Sequence, residues 1–240
     1  MEAKLKQLVD FLTDAAGGNV KAVVLYGSAV AGDFHAKHSN LNVLCVLERS
    51  DLTSLEQIRP AMEWWGKQGH AAPLVFTLEE LRASADIFAI ELTDMKSHHR
   101  ILLGADFLGG IEVPSELHRL QVERELRTNW LRLRQAILTT PNDDRPQIEL
   151  MLGSISSFVT LFRHALIAFG ESLPQSKRDT IARIAADCRA NASGFEAILS
   201  LREGKKKESD IDARKTLQSY VEFVNAVTNE VDRRFASSAH

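Results

Sequence analysis

Hydrophobic residues change their spacing about halfway along the chain. In roughly the first hundred residues, short runs rich in β-branched and other apolar residues alternate with stretches of helical period, which is the pattern of strands joined by helices. Four runs have the length and composition of strands, and they lie at residues 21–27, 41–47, 73–77 and 100–103. The pattern therefore predicts a small sheet-containing unit at the start of the chain.

After Pro114 the strand pattern is absent and apolar residues recur at helical spacing. Two long helical stretches are separated by the turn-forming sequence PNDDRP, and shorter ones follow before a last helix near the end of the chain. Short breaks between long amphipathic helices predict an antiparallel bundle. We therefore expect an α+β chain, with a small mixed-sheet domain at residues 1–112 and an all-α helical bundle at residues 113–240.

Composition narrows the class of protein without indicating an activity. The 240 residues are 45% hydrophobic and 25% charged, and the net charge of −3 provides no electrostatic reason to expect a nucleic-acid partner. The two cysteines, Cys45 and Cys188, are far apart, which suits a reducing compartment. We find no signal-peptide pattern and no apolar run long enough to cross a bilayer. These features predict a soluble, cytoplasmic protein that binds neither nucleic acid nor membrane.

The most informative segment is VVLYGSAVAGDFHAKHSNLNVLCVL, residues 23–47. A strand ends at Gly27 and Ser28, a polar loop follows, and a second strand opens with the polar pair Asn40 and Asn42. This arrangement resembles the nucleotidyltransferase fold shared by polymerase β-like and aminoglycoside-modifying enzymes. The resemblance implies that the glycine and serine let the backbone approach a triphosphate closely. It also implies that the second strand presents two acidic residues on one face.

The sequence departs from that family at the acidic positions, because both are asparagine here. Magnesium is a hard cation that is usually held by carboxylates together with substrate phosphates, and a neutral amide oxygen does not replace that charge. The family's third acidic position lies on a following strand, and residues 73–77 contain no acid. The arginine that often follows Gly-Ser is also missing. We therefore predict a degenerate ligand site at Gly27, Ser28, Asn40 and Asn42, with no catalytic residue and no resident metal.

Other residues offer alternative chemistry. Glu91 and Asp94 are three residues apart and would share a helix face, so they are candidates for a replacement carboxylate pair. Glu149 starts the second bundle helix and is a candidate general base, although helix starts favour glutamate in any case. His35 and His38 lie in the polar loop and could bind a transition metal. The pair His98-His99 shows no acidic partner at a recognisable spacing.

A second segment, residues 85–108, strengthens the resemblance. It combines an acidic-aromatic stretch with a strand ending in Leu-Gly-x-Asp, and an Arg-rich amphipathic helix follows, as in bacterial nucleotidyltransferase-domain proteins. The resemblance covers about the first 140 residues. In relatives with this fold, a C-terminal helical domain often closes over the acceptor substrate.

Three functional hypotheses follow from these patterns. The first is a catalytically degenerate nucleotidyltransferase-like protein that serves as a ligand-binding or regulatory module for a nucleotide or another small molecule. The second is an active, Mg²⁺-dependent nucleotidyltransferase that moves a nucleoside monophosphate onto a small hydroxylated acceptor. The third is a protein-interaction module whose helical bundle forms a homodimer.

Overall fold

The structure is a computed structural model that describes residues 1–30 and 41–236. The chain divides into two compact units, Met1–Leu117 and His118–His240. The described strands all lie in the first unit, and the described part of the second unit is helical.

A mixed four-stranded sheet forms the centre of the first unit. Its strands stand in the order β3-β2-β1-β4, with β2 and β3 parallel and β1 antiparallel to both of its neighbours. Each strand lies where a short apolar run predicted one, and the predicted α+β class is confirmed. The strands are β1 (Val20–Tyr26), β2 (Asn42–Leu47), β3 (Leu74–Thr77) and β4 (His99–Gly104).

In the part of the first unit that the structure describes, four α-helices accompany this sheet, and local capping determines where two of them begin. The Asp51 carboxylate accepts a hydrogen bond from the Ser54 N–H at 2.9 Å and caps the second helix. Thr77 and Glu80 form a reciprocal capping box at the start of the third. The helices are α1 (Glu2–Ala16), α2 (Leu52–Lys67), α3 (Leu78–Ala83) and α4 (Ala89–Ser97).

Each face of the sheet is covered by its own hydrophobic core. Because strand side chains alternate, Val23 and Leu25 of β1 point to one face, while Val24 and Tyr26 point to the other. The first face packs against α1 and α2, including the fully buried Trp65. The second face packs against α3, α4 and the segment that follows β4. Tyr26 therefore ends β1 on the face that α4 covers.

The second unit is built around one buried helix, α6. Helices α7, α8 and α9 all pack against it. An aromatic cluster fills the space between them, with Phe195 and Tyr220 stacked at a centroid distance of 4.0 Å. The helices are α5 (Ser115–Thr139), α6 (Asp144–Ala168), α7 (Lys177–Cys188), α8 (Ser193–Arg202) and α9 (Ala213–Ala236).

Helix α6 corrects one expectation from the sequence. It is long enough to cross a membrane, and an 18-residue window within it has a mean hydropathy of 1.5. Its apolar residues include Phe158 and Phe162, which are almost completely buried and contact the aromatic rings of α8 and α9. The high hydropathy of α6 is accounted for by its place in the core of the second unit.

Candidate functional site

The chain leaves β1 through Gly27, in a conformation that favours glycine. Its φ angle is +80°, in the left-handed region where a side chain is strained. The Gly27 N–H donates to the carbonyl oxygen of His98 at 3.0 Å, and the Gly27 carbonyl accepts from the Val30 N–H at 2.9 Å. The second of these bonds closes a short 3-10 turn, Gly27–Ala29, which includes the backbone of Ser28.

Asn42 lies directly beside this turn. It is the first residue of β2 and pairs with Tyr26 across the antiparallel β1–β2 ladder. A Cβ atom placed on Gly27 would be 3.2 Å from Asn42 Nδ2, so the side-chain amide of Asn42 lies against the Gly27 backbone. The structure thus brings together Gly27 and Asn42. Three other residues singled out in the sequence, Asn40, His35 and His38, lie outside the described part of the chain.

His99 flanks Tyr26 on the opposite side. It is the first residue of β4 and pairs with Tyr26 across the β1–β4 ladder. Directly opposed residues on neighbouring strands project to the same face, so Asn42, Tyr26 and His99 form one row across the end of the sheet. With strands about 4.8 Å apart, the backbones of Asn42 and His99 are separated by roughly 10 Å.

Both ring nitrogens of His99 already have partners. Nδ1 lies 3.1 Å from the carbonyl oxygen of Lys96, and Nε2 lies 3.3 Å from Oδ1 of Asp106. Asp106 Oδ1 also accepts a hydrogen bond from the Gly109 N–H at 3.0 Å. This bond is the main reason why the pKa of Asp106 is below its usual range, and the contact with His99 lowers it further. His99, at the start of β4, is therefore held in place by contacts with Lys96 before the strand and Asp106 in the loop after it.

This contact corrects the expectation that His98-His99 has no acidic partner. Asp106 is the acidic residue of the Leu-Gly-x-Asp segment, seven positions beyond His99. The sequence shows both the His98-His99 pair and the Leu-Gly-x-Asp segment, but it does not show that they are in contact. The contact depends on the turn at Gly104, which brings the loop back toward His99, and residue spacing does not predict that turn. Tyr26 was also missed as a member of the row. Burial raises the pKa of the Tyr26 phenol.

Among the described residues, strands β2 and β3 present no carboxylate for magnesium at this end of the sheet. Asn42 offers a neutral amide, and β3 carries no acidic residue. Glu91 and Asp94 do share helix α4, with Glu91 exposed and Asp94 half-buried. Within residues 1–30 and 41–236, no group of three or more His, Cys, Asp or Glu side chains is placed to hold a metal ion.

Two further residues singled out in the sequence are Glu149 and Cys45. Glu149 lies on α6 in the second unit, where its carboxylate is exposed and accepts a hydrogen bond from Arg145 Nε at 2.9 Å. Cys45 is completely buried in β2, and burial raises the pKa of its thiol to about 12. A thiol in that environment packs as a small hydrophobic group and does not serve as a nucleophile.

Comparisons with known proteins support the fold alone. No protein-family model matches this sequence, and neither does any curated protein. Among solved structures, the chain is similar to spectinomycin adenyltransferase AAD(9) from Enterococcus faecialis, determined with ATP and spectinomycin. The two are 14% identical with a TM-score of 0.54, and the similarity covers 97% of this chain and 99% of the other. The chain therefore has a nucleotidyltransferase-like fold, a mixed sheet followed by a helical region.

Proposed function

We propose that this chain is a catalytically degenerate nucleotidyltransferase-like protein that binds a nucleotide without a resident metal. The binding residues would be Gly27, Ser28, Asn40 and Asn42, and the bound state would serve a regulatory purpose. The observation that carries the proposal is the contact of the Asn42 amide with the Gly27 backbone. In the family that the sequence resembles, this strand position holds a metal-binding carboxylate.

The change from carboxylate to amide alters how a phosphate can be bound. A carboxylate repels a phosphate unless a cation lies between them, whereas an amide has N–H donors that bond a phosphate oxygen directly. Asn42 is exposed, so its amide is accessible to a ligand. The absence of a side chain on Gly27 lets the Asn42 amide lie close to the backbone of the turn. This chemistry favours a nucleotide that binds through hydrogen bonds, with little dependence on magnesium.

The test is calorimetric titration of the protein with ATP, GTP, CTP and UTP, in EDTA and with added Mg²⁺. We expect at least one nucleotide to bind with the same affinity in both buffers. Asn42→Ala should weaken that binding at least tenfold, which corresponds to about 1.4 kcal/mol for lost hydrogen bonds to a charged group. Asn229→Ala, which removes an exposed asparagine from α9, is the matched control and should leave the affinity unchanged.

Restoring the acidic pair is the complementary test. In the variant Asn40→Asp/Asn42→Asp, repulsion between the carboxylates and phosphate should make nucleotide binding depend on Mg²⁺. Binding by the unaltered protein that strengthens with Mg²⁺ would contradict the proposal. So would the absence of binding to any of the four nucleotides.

The second candidate is an active nucleotidyltransferase, and the near-complete overlap with an adenyltransferase favours it. It would transfer a nucleoside monophosphate to a small hydroxylated acceptor and would need carboxylates such as Glu91 or Asp94 to hold Mg²⁺. Incubation with ATP, Mg²⁺ and spectinomycin, followed by mass spectrometry, tests this directly. An adenylylated product that disappears in Glu91→Gln or Asp94→Asn would establish transfer and overturn the first proposal.

A further inference from the structure

Three exposed leucines form a straight line along helix α5. Leu120, Leu131 and Leu138 have exposed fractions of 63%, 56% and 86%, although leucine side chains are usually buried. They are separated by 11 and 7 residues, and at 100° per residue this spacing places them within about 20° of one another around the helix axis. The line is about 27 Å long at 1.5 Å per residue. We call these three residues the leucine stripe.

The leucine stripe is on the opposite side of α5 from the face that the fold buries. Val122, Leu126 and Leu133 are buried, and the same helical geometry places them roughly 120–180° from the stripe. An amphipathic helix of an isolated domain needs one apolar face. Helix α5 therefore exposes three leucines on its solvent side, with Arg124 and Arg127 between the first two. Exposed leucines rimmed by polar residues are typical of a protein–protein contact.

An apolar groove adjoins one end of the stripe. Leu138 lines a groove of about 530 Å³ between α5 and α9, and the guanidinium of Arg134 lies over the Trp130 ring, 5.7 Å from its centroid. The wall of the groove on the α9 side is formed by Val221 and Asn225. The groove therefore offers apolar side chains beside a guanidinium, next to the exposed Leu138.

The charges along α5 favour a second copy in antiparallel orientation. Residues 116–125 contain three glutamates and two arginines, whereas residues 127–138 contain three arginines and no acid. An antiparallel pair of α5 helices places the net-acidic half of each against the basic half of the other. A parallel pair would place the two basic halves against each other, which is unfavourable.

A specific register follows when the two ends of the stripe are matched. If Leu120 contacts Leu138 of the second copy, the two-fold axis passes near residue 129. Glu123 then falls within one residue of Arg134 of the second copy, and both lie on the same side of the stripe. The two-fold axis repeats both this ion pair and the contact of Leu120 with Leu138.

We propose that the chain forms a homodimer in which the leucine stripes of two α5 helices pack antiparallel, with Leu120 of each copy in the groove beside Leu138 of the other. The interface is self-complementary, as a two-fold contact requires. One helix pair buries less surface than a standard stable interface. The dimer is therefore reversible and depends on protein concentration.

The test is the molar mass of the full chain, measured by light scattering and sedimentation over a concentration series. We expect the mass to rise from one to two copies as concentration increases. Leu138→Asp should keep the protein monomeric at every concentration. Leu52→Asp is the matched control, because Leu52 is a 70% exposed leucine on a different helix, α2, and its replacement should leave dimerisation unchanged. Circular dichroism of each variant verifies that its helices are intact.

A charge exchange tests the register separately from the apolar contact. Glu123→Arg and Arg134→Glu should each weaken the dimer, and the double variant should restore it, because the ion pair is re-formed with reversed charges. A wild-type chain that is monomeric at every concentration would overturn the proposal, as would a Leu138→Asp variant that still dimerises. A double variant weaker than both single variants would overturn the antiparallel register.

Discussion

The side-chain amide of Asn42 lies against Gly27, at 3.2 Å from the position that a Cβ atom of residue 27 would occupy. This contact links the residue that follows β1 to the first residue of β2. It places a side-chain amide, which can form hydrogen bonds, beside a backbone segment that has no side chain. Gly27 is consequently constrained twice, by its φ angle of +80° and by its neighbour.

Gly27→Ala should therefore destabilise the protein more than a comparable substitution at an open site. The left-handed conformation alone costs about 1–3 kcal/mol for a residue with a side chain, and crowding against Asn42 adds to it. Gly69→Ala is the matched control, because Gly69 has a φ angle of +85° with no atom within 4 Å of an added Cβ. Urea denaturation gives both free energies of unfolding, and equal losses would contradict the role assigned to Asn42.

Gly194→Ala should disrupt the contact between α8 and α9. A Cβ atom at this position would be 2.6 Å from the backbone nitrogen of Tyr220, so one helix must move. We expect a loss of about 1–3 kcal/mol in the free energy of unfolding. Gly153→Ala in α6 is the control, since an added Cβ there meets no atom within 4 Å and should stabilise the helix by up to about 1 kcal/mol. In thermal unfolding, we expect Gly194→Ala to lower the melting temperature and Gly153→Ala to raise it slightly.

The hydroxyl of Tyr220 and Oγ of Ser154 form a hydrogen bond of 2.9 Å beneath the aromatic cluster of the second unit. Tyr220→Phe keeps the ring packed and removes only the hydroxyl, so the loss should be about 1 kcal/mol. Ser154→Ala should cost a similar amount. Because each single change already breaks the bond, the double variant should be more stable than the sum of the two losses predicts. Additive losses in chemical denaturation would show that the two groups do not interact.

Glu230 should make the protein sensitive to acid. The hydrogen bond from Arg233 is the main cause that lowers the pKa of Glu230 to about 2, and Arg234 contributes further. A carboxylate whose folded pKa is depressed stabilises the protein above its unfolded pKa, and this stabilisation is lost as the pH falls toward the folded value. Glu230→Gln should therefore lower the melting temperature near neutral pH.

The difference between the wild type and Glu230→Gln should shrink between the ordinary glutamate pKa of 4.5 and about 2. We expect at most about 1 kcal/mol, because the arginine partners are partly solvated. Glu149→Gln removes an exposed ion pair with Arg145 on α6 and is the matched control, with little change in melting temperature. A Glu230→Gln difference that does not depend on pH would contradict this account.

The elements of this chain could be predicted because their signals are local. The apolar run before Gly27 forms β1, and the helical repeat that ends in Gly17 forms α1. Their hydrophobic periods follow from backbone geometry, which is the same wherever an element lies in a fold. The neighbourhood of Gly27 and Asn42 could also be anticipated, because the two residues bracket a single connection between adjacent strands.

Other relationships depend on which elements become neighbours. The pairing of Tyr26 with both Asn42 and His99 requires β1 to lie between β2 and β4, and no local pattern specifies that order. The contact of His99 with Asp106 likewise needs the chain to turn back after β4. The spacing of apolar residues in α5 showed a helix, but it could not show which of its leucines are buried and which are exposed.

The sequence by itself determined the strands and the helices, since each depends on the pattern of consecutive residues. Only the tertiary structure decided the mixed order of the sheet, the row of side chains at its end and the exposed leucine stripe. These features arise from contacts between residues distant in sequence, and the energy of such contacts exists only once the chain has folded.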